Sequence, residues 1–72
     1  MSCVPCEIAK LMCENLSGRD REKCMRIIDL LAQGRISPEE AKRRLDTEIG
    51  ERKMNEAFRK ALEQARRRGL IR

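Results

Sequence analysis

The chain has 72 residues, with 17 Lys or Arg against 12 Asp or Glu, a net charge of +5, no His, Trp or Tyr, and one Phe. A chain this short holds one domain, and a single core of this size rarely supplies more than about 3–5 kcal/mol. The absence of His removes imidazole general bases, His-ligated metals and Ser-His or Cys-His nucleophile pairs, and the short apolar runs offer no expected transmembrane span, signal peptide or anchor.

Apolar residues recur at helical spacing throughout, and no strand-like alternation is present. The expectation is a small all-α domain of three to four helices. The first helix is read over about 7–16, with Ile8, Leu11, Met12 and Leu16 on one face. Ser17-Gly18 ends it, because Gly takes a left-handed cap at little cost. The second runs over about 20–33 with Cys24, Ile27, Ile28 and Leu31 as its stripe, Asp20 as its cap and Gly34 as its stop. The third opens at Ser37-Pro38-Glu39-Glu40, a start signal with Ser37 as N-cap, Pro38 at the first helical position and Glu40 closing a capping box. Ala41, Leu45 and Ile49 follow it at four-residue steps. The apolar phase then slips at Gly50, which predicts a break or kink. The fourth helix, about 51–68, carries Met54, Ala57, Phe58, Ala61, Leu62 and Ala65, and Gly69-Leu70 is read as a Schellman stop.

Charge divides the chain into two parts. Residues 1–34 hold five basic and five acidic side chains, whereas residues 35–72 hold twelve and seven. The pairs Glu39–Arg43, Glu40–Arg44, Glu48–Arg52, Glu56–Lys60 and Glu63–Arg67 have the acid-first i,i+4 order that adds about 0.2–0.5 kcal/mol each. Dense pairing of this kind is also a habit of thermophile sequences. The basic end attracts phosphate by Coulomb force and counterion release, so Arg59, Lys60, Arg66, Arg67, Arg68 and Arg72 are the candidate nucleic-acid contacts. The apolar stripe Met54, Phe58, Leu62 is the candidate protein-docking face. The narrow Ala-rich face of the same helix suggests sharing with a second copy, as a homodimer.

Cys3, Cys6, Cys13 and Cys24 all lie in the first third of the chain. The leading expectation is a structural zinc site with all four as ligands, since C-V-P-C makes a fair metal knuckle and zinc takes four thiolates tetrahedrally at about 2.3 Å. Thiolates on one zinc sit about 3.8 Å apart, whereas Cys6 and Cys13 in one helix would be separated by about 10.5 Å of rise. The zinc reading therefore requires Cys6 in a loop ahead of the helix. The alternative is disulfides. In a hairpin turning at Ser17–Asp20, Cys13 and Cys24 are equally far from the turn centre and fall at one level, which favours a bridge between them. Two further readings are thiol redox chemistry at Cys3 and Cys6 and an iron–sulfur cluster. The cytoplasm is the expected compartment, where thiols ordinarily stay reduced except in hyperthermophiles.

The stretch Ile27-Ile28-Asp29-Leu30-Leu31-Ala32-Gln33-Gly34-Arg35-Ile36-Ser37-Pro38-Glu39-Glu40-Ala41-Lys42-Arg43-Arg44-Leu45 resembles the short helical hairpin of SHOCT-like domains: a leucine pair, a Gly, an Ile, a Ser cap, Glu-Glu-Ala and a closing Leu. The resemblance covers about a quarter of the chain. It implies a helical pair used for oligomerisation or interaction, and no catalytic residue. Read instead as a DNA-reading helix-turn-helix, Lys42, Arg43 and Arg44 would lie near the outer face, but Glu39 and Glu40 occupy the first turn, where base contacts normally arise.

The sequence thus predicts one domain, a cysteine-clamped hairpin over 1–34 joined to a basic helical half over 35–72. The expected role is a non-enzymatic, zinc-binding regulatory or architectural protein that contacts nucleic acid. The alternatives are a disulfide-stapled interaction or oligomerisation module and a C-x-x-C redox protein.

Overall fold

In the computed structural model, which describes residues 4–71, the chain forms α1 (Val4–Glu14), α2 (Gly18–Ala32), α3 (Pro38–Leu45), a π-type turn (Asp46–Gly50) and α4 (Glu51–Arg67). The all-α expectation holds, with no strand among the described residues. None of these helices is long and apolar enough to cross a membrane.

The signals at Ser37 and Gly69 act as read, whereas Ser17-Gly18 does not end the first helix: α1 stops at Glu14, and Gly18 opens α2. Ser37 Oγ accepts the Glu40 backbone N–H at 3.1 Å, and Pro38 begins α3. Only half of the predicted capping box forms, because the Glu40 carboxylate accepts from Arg43 and Arg44 within its own helix. At the end of α4, Leu70 N–H donates to the Ala65 carbonyl at 2.8 Å and Gly69 N–H to that of Arg66 at 3.1 Å. With Gly69 at φ 76°, this is the predicted Schellman stop. Leu70 then packs beside Leu11, Ala61 and Ala65, so the cap also closes one end of the core.

Two helix starts also differ from the expectation. Helix α1 starts at Val4 rather than near Glu7, since a Pro in the first helical turn loses no intrahelical hydrogen bond. Helix α2 starts at Gly18, so Asp20 lies in its first turn and the N-cap position falls to Ser17. The break at Gly50 is present. Gly50 has φ 121°, and the widened turn ahead of it redirects the chain into α4. Of the five predicted i,i+4 pairs, Glu40–Arg44 and Glu56–Lys60 form, whereas Glu39–Arg43, Glu48–Arg52 and Glu63–Arg67 do not: Arg43 turns to Glu40, and Glu48 and Arg52 are separated by the break at Gly50.

Packing centres on α1, which lies against α2 on one side and most extensively against α4 on the other, while α3 packs on α2. The face of α4 made by Ala57, Ala61 and Ala65 is buried, and Leu11 of α1 lies in one cluster with Ala61 and Ala65. Short side chains let two helices approach closely, and here the close partner is α1. Within the chain, α1 thus covers the face that the sequence offers for sharing with a second copy.

The buried interior is thin. Four of its members are Ala, and its most deeply buried larger side chains are Cys13 and Cys24, each 0% exposed. These two form a disulfide with Cα atoms 5.4 Å apart, inside the usual bridging range. Chain-entropy reasoning gives such a short loop a stabilisation on the order of 3 kcal/mol, comparable with what the small core itself supplies.

Candidate functional site

The described face with the chemistry of a binding site is an apolar groove of about 330 Å³. It opens between α3 and α4, which diverge from the π-type turn without packing broadly on each other. Buried Ile28, Leu45 and Met54 form its bottom, with Met12 and Leu31 partly exposed above them. Lys42 and Pro38 of α3 face Asn55 and Phe58 of α4 across the opening. Phe58 is 46% exposed, although it lies on an apolar face and is the one aromatic residue of the chain. Of the predicted docking stripe, Phe58 is available, Leu62 is partly buried, and Met54 is corrected to a core residue at 4% exposure.

The charged residues at the α3 side satisfy one another. Lys42 Nζ meets Asp46 Oδ2 at 2.7 Å. That hydrogen bond, with the charge of Asp46 and a smaller effect of Glu51, pushes the Lys42 ammonium above its ordinary pKa. Hydrogen bonds from Arg43 and Arg44 hold the Glu40 carboxyl below the usual carboxylate range. All three basic side chains of α3 are therefore engaged in ion pairs, which leaves no free base-reading set on that helix.

On α4 the bases sort into two rows. Arg52, Arg59 and Arg66 are seven residues apart, a step of about 10.5 Å along the axis that drifts by only about 20° around it. All three are exposed, and none has an ion-pair partner among the described residues. Lys53, Lys60 and Arg67 form the second row. There Lys53 is tied to Asp20 at 3.1 Å and Lys60 to Glu56 at 3.5 Å. Of the predicted nucleic-acid contacts, Arg59 and Arg66 share the first row, Lys60 and Arg67 share the second, and Arg68 sits at the C-cap. Arg72 lies outside the described residues. Arg52 was missed, although its seven-residue spacing from Arg59 was readable.

The described cysteines do not gather as the four-cysteine zinc site requires. Cys6 lies within α1, in the same helix as Cys13. Two ligands seven residues apart in one helix are held by their rise well beyond the spacing that one tetrahedral zinc needs. The sulfurs of Cys13 and Cys24 are bonded to each other, and Cys6 is also disulfide-bonded, so these are not thiolates. Cys3 lies outside the described residues. No group of three or more His, Cys, Asp or Glu suited to a metal ion occurs among the described residues. The geometry favours the disulfide alternative over the zinc site.

No family model matches the chain, and neither a curated protein nor a solved structure does so. The functional reading therefore rests on these surfaces.

Proposed function

We propose that the chain is a non-enzymatic protein-interaction module, braced by the Cys13–Cys24 disulfide, whose docking face is the groove beside Phe58. The observation that carries this reading is that the one aromatic side chain of the protein, Phe58, stands exposed at the edge of an apolar groove while the aliphatic residues around it are buried. Clefts of this size hold a few anchoring groups, and a groove walled by helices suits the anchors of an amphipathic helix. The interaction role implied by the SHOCT-like stretch agrees with this. The test uses a designed helical peptide with Leu at i, i+4 and i+7, Gln elsewhere on its flanks, and a single Trp. The protein contains no Trp or Tyr, so peptide fluorescence reports binding directly. Binding should persist in high salt and be lost in Phe58→Asp. Equal binding by wild type and Phe58→Asp, or none by either, refutes the docking role.

A second reading draws on the Arg52–Arg59–Arg66 row, which favours phosphate contact as in the nucleic-acid expectation. Such binding should weaken steeply between about 50 and 200 mM salt and be lost when the three arginines become Gln. An absence of duplex or single-strand binding at low salt refutes it.

A further inference from the structure

The groove has an asymmetric rim, and that asymmetry selects its occupant. On the α3 side, Lys42 and Asp46 neutralise each other at 2.7 Å. Glu51 opens α4 near the same end, close enough to act on Lys42. Along the outer edge of α4 the balance is different. Asn55 lines the groove; Arg59 is four residues after it and Arg52 three before it, and residues at those separations are surface neighbours on a helix. Both arginines are exposed and lack an ion-pair partner among the described residues. The groove is therefore apolar at its centre with Lys42 and Asp46 paired on the α3 side, while the exposed charges adjoining Asn55 on α4 are Arg52 and Arg59 against Glu51, which is also four residues from it, so that edge keeps a net positive charge.

From this we infer that the partner is an amphipathic helix carrying acidic side chains along one flank, seated with its apolar face in the groove and its acidic flank over Arg52 and Arg59. The inference rests on the docking reading above and names the partner for that site. A second copy of this chain fits less well. It carries the same net charge of +5, and an isologous contact centred on Phe58 places the arginines beside it near their own copies across the axis. Nucleic acid fits less well too, because phosphates make no use of an apolar floor and one Phe is no stacking platform for successive bases.

The experiment compares three Trp-labelled helical peptides with identical Leu anchors and with Glu, Gln or Lys along one flank, titrated into the full chain with its disulfides intact. The Glu peptide should bind roughly tenfold more tightly than the Gln peptide, as expected for two exposed ion pairs of ordinary strength. The Lys peptide should bind more weakly still. In Arg52→Glu/Arg59→Glu the order should reverse, and in Phe58→Asp all three should fail to bind. Equal affinities across the series overturn the acidic-partner inference and leave the docking groove standing. Failure of every peptide with wild type overturns both. Unchanged binding of the Glu peptide to Phe58→Asp shows attraction by charge alone and overturns the inference as well. A sedimentation mass equal to a dimer at about 100 µM (a working concentration above typical affinities), reverting to monomer in Phe58→Asp, assigns the groove to a second copy and overturns it too.

Discussion

Arg21 reaches back from α2 and donates through Nε to the Leu16 carbonyl at 2.9 Å, and through Nη2 to that of Glu14 at 3.0 Å. Helix α1 has no basic residue in its own last turn, so the guanidinium supplies from the next helix both the hydrogen bonds and the positive charge that a C-terminus favours. It also fixes the short turn that sets Cys13 opposite Cys24. Arg21→Ala should lower stability by about 1 kcal/mol. Arg21→Lys should rescue little of it, because an ammonium lacks the planar fork. Urea denaturation of the two variants checks this, and full recovery with Lys would show that charge alone matters.

The cysteines give the largest expected effect. Reducing the protein, or replacing Cys13 and Cys24 together by Ser, should cost about 2–5 kcal/mol, as for other small bridged domains. A chelator without reductant should leave the melt unchanged. The four-cysteine zinc reading expects the reverse, with the chelator acting and the reductant inert. Thermal melts under the two treatments, with intact mass recorded to count protons and metal, separate the two. A melt that neither treatment moves would make the sulfurs incidental to stability.

Legibility in the sequence followed the range of the interaction. Ser37-Pro38 and Gly69-Leu70 were readable because a cap is satisfied within a few residues of itself. The Cys13–Cys24 bridge was readable because a tight hairpin fixes the level of residues on either side of its turn. The start of α1 was not, since Val4-Pro5-Cys6 suits a metal knuckle and a first helical turn equally well. Nor was the fate of the Ala face of α4, because small residues invite any close helix and only the tertiary arrangement shows that α1 takes the place. The groove had no local signal. It exists because the turn at Asp46–Gly50 sends α3 and α4 apart, and although the stripe Met54–Phe58–Leu62 was readable as a docking face, nothing local tells that its Met is buried and its Phe exposed.

Glu40 offers a pH test. Arg43 and Arg44 hydrogen-bond its carboxylate and hold it below its ordinary value of 4.5. A carboxyl with a depressed folded pKa contributes stability above the unfolded pKa and loses that contribution as pH falls through the folded value. Carbon-detected NMR titration should find Glu40 protonating below its ordinary value of 4.5. In Arg43→Ala/Arg44→Ala the Glu40 midpoint should rise toward the ordinary value, and the acid limb of the melting curve should lose this component. An unchanged Glu40 midpoint in the double variant would mean that the ion pairs do not persist in solution.

Gly50 is where backbone conformation and the proposed site meet. Its φ of 121° is a conformation that side-chain-bearing residues rarely adopt, while a Cβ built there meets nothing within 4 Å. Any effect of Gly50→Ala is therefore one of backbone strain rather than of packing. Two outcomes compete. Holding the native turn with Ala in place costs about 1–3 kcal/mol. Straightening the turn into one continuous helix gains up to about 1 kcal/mol of helix propensity over Gly, but rotates Met54 and Ala57 out of phase with the core that buries them. Losing even one such buried side chain costs more than that gain, since removing a buried Met side chain is worth about 2–5 kcal/mol. Gly50→Ala should therefore be destabilised, with native helicity, an intact α1–α4 interface and peptide binding at the groove retained below its melt. Urea melts and circular dichroism decide between the two outcomes. Higher stability with added helicity and no peptide binding would show that the break at Gly50 is not needed for the fold and that the groove depends on that one residue.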